Sequence, residues 1–152
     1  MSAIILVTGG FDPIHSGHIA YFRDAKEFNP SVPLCVGLNS DEWLIRKKGK
    51  YFLPMTERRA IVRELKPVDL TITYDDTDNT SCMAIFKCLQ MYDKVIFCNG
   101  GDRVDTNVPE YLKFKDNETY FSDRSLLIQS DEYSSQKFNY ENELIVQVHH
   151  IN

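Results

Sequence analysis

Two histidines three residues apart, His15 and His18, stand where an apolar run gives way to a helical pattern. They close the stretch GGFDPIHSGH, residues 9–18, which follows Ala3-Ile4-Ile5-Leu6-Val7, a run that predicts a buried strand ending in a turn. From Gly17 to Phe28, the residues Ile19, Phe22, Ala25 and Phe28 recur every three positions and predict a helix with one apolar stripe. The chain has four histidines, and this turn holds two of them. Gly9 and Gly10 let the backbone approach a ligand and take angles closed to other residues. A helix starting near Gly17 aims unpaired N–H groups and a partial positive charge at the turn, which makes an anion site. Imidazoles at 15 and 18 can donate hydrogen bonds to phosphoryl oxygens as charge builds on them. Gly17 leaves room between them for a nucleotide to lie against the helix. The expected chemistry is phosphate handling.

The elements that must position this turn alternate in type. An unbroken apolar run, Leu34–Leu38, predicts a second strand covered on both faces. Residues 41–45 predict a short helical piece that opens onto a basic loop, Arg46-Lys47-Lys48-Gly49-Lys50. Thr56 can cap a helix with Glu57 in its first turn and Ile61, Val62 and Leu65 on its apolar side. Residues 70–74, LTITY, predict a third strand. After the polar stretch 75–79, Thr80 can cap a helix carrying Ala84, Ile85, Cys88, Leu89 and Tyr92. Residues 95–98 predict a fourth strand, followed by the glycine loop Asn99-Gly100-Gly101-Asp102-Arg103.

This order predicts right-handed βαβ units in a single domain over residues 1–152. The fold class is α/β: a Rossmann-like three-layer α/β/α arrangement with a mostly parallel five-stranded sheet. From about residue 115 the pattern diverges, with short strand candidates at 119–121 and 126–128 and an edge strand at 144–148. Ligands of such sheets bind beyond the carboxyl ends of the strands, where the strand order reverses. With the first strand central and the fourth beside it, both glycine loops meet at that point.

A net charge of -5 argues against general affinity for nucleic acid or an anionic membrane. No apolar run approaches the roughly 20 residues of a bilayer span, and the N-terminus lacks a signal-peptide pattern, so a cytoplasmic location is expected. The four cysteines form no CxxC pair and read as free thiols, Cys35 and Cys98 within strands. Asp75, Asp76 and Asp78 read as a solvated loop, and no metal site held by the protein is expected. Trp43 reads as packing of the short helix, and His149-His150 as surface.

The turn GGFDPIHSGH resembles the HxGH signature of the cytidylyltransferase-like nucleotidyltransferases. Residues 36–50, VGLNSDEWLIRKKGK, are similar to the segment after the second strand in that family's glycerol-3-phosphate cytidylyltransferases and heptose-phosphate adenylyltransferases. Pro54-Met55-Thr56-Glu57-Arg58-Arg59 resembles the family's next helix start, with Arg59 as the matching arginine, and Asn99-Gly100-Gly101-Asp102 resembles its nucleotide-side loop.

The resemblance implies transfer of CMP or AMP from CTP or ATP, with Mg²⁺ on the nucleotide, to a small phosphorylated polyol or sugar, releasing pyrophosphate. It implies that His15 and His18 stabilise charge on the α-phosphate and Lys48 charge on the pyrophosphate. It places Thr8, Gly9, Gly10, Phe11, Asp12 and Gly17 against the nucleotide, with Gly100, Gly101 and Asp102 opposite. Arg46, Lys50 and Arg59 fall on the substrate side, and a homodimer is implied as well. The family's C-terminal Ser/Thr-rich helix start has no clean copy. Ser122-Asp123-Arg124-Ser125 reads as a shortened version that would bring Arg124 and Ser125 to the phosphates, and Tyr133-Ser134-Ser135-Gln136 is the other candidate. Two alternatives stay open: a nucleotide-binding module that has lost catalysis, and an enzyme acting on coenzyme or nicotinamide precursors.

Overall fold

The computed structural model describes residues 2–98 and the backbone of 99, 128–129 and 145–147. The strands are β1 (Ala3–Gly9), β2 (Leu34–Leu38), β3 (Leu70–Thr73), β4 (Lys94–Asn99), β5 (Ile128–Gln129) and β6 (Ile145–Gln147). The helices are α1 (Ser16–Phe28), α2 (Asp41–Lys48), α3 (Met55–Val62) and α4 (Cys82–Leu89). The sheet order is β3-β2-β1-β4-β6-β5, with every pairing parallel. The chain winds outward from β1 to β3 and then returns to the other side of β1 as β4. Between β1 and β4 the order reverses, the position at which such sheets bind ligands.

Successive side chains of a strand point to opposite faces. In β1, Ile4 and Leu6 join Cys35, Ile72 and the inner face of α4, while Ile5 and Val7 join Val36, Phe22, Ala25 and Val62 under α1 and α3. All four β1 residues are fully buried. A strand covered on both faces reads as a continuous apolar run, and this one does.

The α/β class and the parallel sheet stand, with differences in detail. Among the described residues the sheet holds six strands against the five expected, one of them the two-residue β5, which overlaps the candidate at 126–128. Residues 145–147 lie inside the sheet, paired by β4 and β5, rather than at its edge. The strand candidate at 119–121 lies outside the described residues. Pro54 stands at the N-cap of α3 without a side-chain bond, so Thr56 is already helical. The buried face of α3 is Arg58 and Val62, whereas Ile61 is exposed. Leu65 lies beyond the helix end but still packs against the core. Ser81 is the N-cap of α4, and Thr80 Oγ1 accepts from the Cys82 amide one step inward (3.2 Å). Tyr92 packs on the core from beyond the end of that helix. All four cysteines are buried thiols outside any disulfide. The Cys88 hydrogen bond and then burial push the Cys35 thiol up, and burial alone does so for Cys98, so neither ionises under ordinary conditions.

Candidate active site

The turn between β1 and α1 is shaped by its own histidines. His15 is the N-cap of α1, extended at φ −150° and ψ 178°, and its Nδ1 accepts from the Gly17 amide (3.0 Å). His18, three residues in, accepts from the His15 amide through its own Nδ1 (3.2 Å). The two close a capping box, a role that Ser or Thr with Glu ordinarily fills. Their rings stack with centroids 3.9 Å apart and planes 24° apart. With each Nδ1 held as an acceptor, the proton of each neutral ring resides on Nε2. Two parallel imidazoles thus carry their N–H groups on the same ring position at one helix start.

Phe11 fixes the other side of the turn. Its backbone takes φ 52°, and its buried ring meets His18 (5.2 Å) and Phe22 (5.0 Å) edge to face. The left-handed angle expected of Gly9 or Gly10 therefore belongs to Phe11, and the glycines serve close approach instead. A Cβ on Gly9 would sit 2.8 Å from the Phe11 ring, and one on Gly10 2.7 Å from Leu44 Cδ2. At Gly17 a Cβ would come within 2.8 Å of His15 Cε1, so the space there belongs to the imidazole. Thr8 Oγ1 shares a 2.7 Å hydrogen bond with Ser81 Oγ at the mouth of α4.

The stretch expected as a basic loop is partly helical. α2 continues through Arg46, Lys47 and Lys48, and Gly49 ends it in the left-handed region at φ 88°, its amide bonded to the Ile45 carbonyl (2.8 Å). Three cations in the last turn complement the negative end of the helix, which favours this extension. Lys48 then folds back onto the histidine turn. Its ammonium donates to the Asp12 carbonyl and pairs with the Asp12 carboxylate at 3.3 Å.

The Asp12 side chain is fully covered and accepts from the Phe52 (2.6 Å) and Leu53 (2.9 Å) amides. The carboxylate expected at the nucleotide is thus a clasp between the turn and the segment after α2. Burial works to raise its pKa, but the Phe52 and Leu53 amides and Lys48 outweigh that and hold it below 3.8. The clasp's contribution is therefore complete above pH 3.8 and is lost as pH falls further, through the lowered value. Asp12→Asn is expected to destabilise the protein by about 2 kcal/mol at neutral pH, the scale of hydrogen bonds to a charged group. The gap between variant and parent in thermal melts recorded from pH 7 to pH 2.5 is expected to close below about pH 4.

Arg58, not Arg59, reaches the site. Arg58 is 1% exposed and donates to three carbonyls: Gly10 (2.8 Å), Asn39 (2.9 Å) and Leu53 (2.9 Å). It also meets Asp41 Oδ1 at 2.6 Å. Arg59 lies on the exposed side, donating to Thr71 Oγ1 at 3.1 Å. Helical spacing offered a signal, since Arg58 falls four residues before Val62 on the inward face. Arg46, expected beside substrate, is taken up by Asn79 Oδ1 (3.0 and 3.2 Å) and the Asp76 carbonyl (2.9 Å).

Asp76 is buried rather than solvated, accepting from the Ser40 amide (2.7 Å) and hydroxyl (2.8 Å) and from Asn39 Nδ2 (3.1 Å). Asn39 Nδ2 also reaches Tyr74 Oη (3.1 Å), tying together the carboxyl ends of β2 and β3. Lys50 lies 5.5 Å from the Phe52 ring centroid, and Lys47 lies 4.7 Å from that of Trp43. Gly100, Gly101, Asp102, Arg124, Ser125 and His149-His150 lie outside the described residues. β4 runs parallel to β1 with Val7 opposite Cys98, so the carboxyl end of β4 lies at the same end of the sheet as the turn. Among the described residues no group of three or more His, Cys, Asp or Glu could hold a metal ion, and no helix is long and apolar enough to cross a membrane.

Residues 6–148 match the family model described as cytidylyltransferase-like. The chain is 30% identical to an FAD synthase of Ferroglobus placidus over 99 residues, 65% of this chain and 59% of that protein. It is 36% identical to an FAD synthase of Archaeoglobus fulgidus over 73 residues, 48% of this chain and 51% of that one. Against the bifunctional protein HldE of Hahella chejuensis it is 33% identical over 86 residues, 55% of this chain and 18% of that protein. The chain thus spans between just under half and three fifths of the length of these FAD synthases and others like them. A lipopolysaccharide core biosynthesis protein of Thermoplasma volcanium shares the fold over the whole of both chains, with TM-score 0.66 and 20% identity.

Proposed function

The chain belongs to the cytidylyltransferase-like family, and on that premise we propose that it is a nucleotidyltransferase that joins a nucleoside monophosphate to a phosphate monoester. An oxygen of the acceptor's phosphate attacks the α-phosphorus of ATP or CTP. The bond from that phosphorus to the β-phosphate bridge breaks, and pyrophosphate leaves. The attacking oxygen is already anionic, so no base is required, and catalysis consists of in-line positioning and charge stabilisation. The observation that carries the reading is the stacked His15–His18 pair with both Nδ1 atoms engaged by backbone amides. In this reading the Nε2–H groups of the two rings donate to the α-phosphate oxygens as their charge grows. Lys48 is set beside the same turn to meet the departing pyrophosphate. Mg²⁺ enters as part of the nucleotide substrate and shares in that neutralisation.

The relatives' names support the acceptor class. FAD contains an adenylate joined by a pyrophosphate link to the phosphate ester of a polyhydroxylated chain, which favours ATP and a phosphorylated polyol or sugar. The deciding experiment is pyrophosphate release across the four nucleoside triphosphates, each with glycerol 3-phosphate, ribitol 5-phosphate, flavin mononucleotide and sugar phosphates. Release with one donor–acceptor pair is expected. Silence throughout, with a thermal shift from Mg-ATP or Mg-CTP, would replace the enzyme with a nucleotide-binding module.

Gly17→Ala isolates the geometry of the pair. Alanine favours a helix over glycine by roughly 0.5–1 kcal/mol, which offsets the cap bond that a displaced His15 ring gives up, so stability should change little. The new methyl nevertheless occupies the place of the His15 ring edge. Activity is expected to fall about tenfold or more, read as kcat in the same pyrophosphate assay, in keeping with the cost of misplacing a catalytic group.

A further inference from the structure

Phe52 is the most exposed large apolar side chain among the described residues, at 60%. Single exposed aromatics are ordinary on protein surfaces, but three features set this one apart. Its backbone is fixed, because its amide is the 2.6 Å donor to the covered Asp12 carboxylate. That carboxylate belongs to the histidine turn, so the ring is tied to the candidate active site. Two ammonium groups also stand over the ring, Lys48 at 4.8 Å and Lys50 at 5.5 Å from its centroid, and Lys48 also pairs with Asp12. An anion centre and a flat apolar face thus share one lysine. Tyr51, the preceding residue, is also exposed, at 39%.

We infer that Phe52 is a specificity-determining residue, the surface on which the acceptor's organic part stacks, and that the acceptor is a phosphate monoester bearing a flat aromatic ring system. This inference rests on the nucleotidyl-transfer reading above. The acceptor's phosphate is held beside Lys50, across the α-phosphate from the pyrophosphate that Lys48 meets, and its body extends over the Phe52 ring. Aromatic faces stack offset on one another, and Lys50 at the rim favours an electron-rich or anionic partner. Because the clasp holds Phe52 in place before the ligand arrives, little ordering is left for binding to accomplish.

Flavin mononucleotide and ribitol 5-phosphate form a matched pair of probes, the same phosphorylated chain with and without a flat ring system. The full chain should use flavin mononucleotide with a kcat/KM at least tenfold above that for ribitol 5-phosphate. Phe52→Ala should collapse that ratio about tenfold, mainly through KM, and Phe52→Trp should restore it, on the scale of one stacked ring. Phe86→Ala, a like truncation of an exposed phenylalanine on α4, should leave the ratio in place. Flavin fluorescence titrated with protein and no nucleotide gives a second readout, in which Phe52→Ala should weaken quenching by the same factor.

Equal use of both probes overturns the inference, as does a Phe52→Ala variant that keeps the ratio and the quenching. So does a Phe52→Ala variant whose sedimentation shows loss of a dimer, since the ring would then be an interface between copies. Pyrophosphate release from non-aromatic acceptors alone would overturn the stacking role while leaving nucleotidyl transfer intact. Absence of release with every acceptor and every nucleotide overturns the reading beneath both.

Discussion

His18→Ala is expected to lower kcat by about 100-fold or more while leaving the protein folded. The loss matches that of a single donor aimed at developing negative charge, about 2.7–4 kcal/mol of transition-state stabilisation. Two structural effects accompany it. The His15 amide loses its acceptor, and the His15 ring loses the partner it stacks on. Losing that half of the capping box costs about 1 kcal/mol of stability, visible as a shift of a few degrees in melting but too small to unfold the chain. His18→Asn separates the contributions, because its side-chain oxygen can accept from the His15 amide while the Nε2 donor is gone. It should melt near the parent and remain slow. Normal turnover in either variant would remove His18 from the mechanism.

Arg58→Met is expected to lower stability by about 3 kcal/mol or more, whereas Arg59→Met changes it by less than about 0.5 kcal/mol. Arg58 is the largest fully buried side chain among the described residues, and its guanidinium satisfies three carbonyls and the Asp41 carboxylate. Methionine fills much of the volume but leaves those carbonyls dry and Asp41 without its cation, the pattern in which breaking a buried pair is strongly unfavourable. Asp41 is 26% exposed and also accepts from the Met55 amide at 2.9 Å, so water and that amide recover part of the loss. Arg58→Lys should fall between, because one ammonium cannot serve directions that a planar fork serves together. Urea denaturation of the four proteins reads the order directly. If Arg58→Met and Arg59→Met unfold at the same urea concentration, the buried guanidinium has been given the wrong weight.

The contrast between these neighbouring arginines measures how far the sequence could be read. The sheet was legible because β1 and β2 are unbroken apolar runs buried on both faces, and because strands and helices alternate at βαβ spacing. The histidine turn was legible because two imidazoles at a strand-to-helix junction have few packing explanations. What the chain kept back was partnership. Nothing in the residue type of Asp12 says that its carboxylate turns toward amides forty residues away instead of toward a ligand. Asp76 sits among acidic and polar residues and reads as solvated, yet Ser40 and Asn39 draw it inside. Lys48 looked like loop until Gly49 supplied a left-handed helix stop one residue later. Each such residue is polar, and its place was set by acceptors and donors brought from distant parts of the chain.

The turn's geometry also limits what can be moved. Its Gly10 carbonyl is held by α3, its Asp12 carboxylate by the segment before α3, and its Phe11 ring by Phe22 of α1. A graft of GGFDPIHSGH onto another strand–helix junction would carry both imidazoles and few of the atoms that hold them. The smallest transplantable unit is therefore the stretch from β1 through α3, and a ten-residue copy is expected to be an imitation in sequence only.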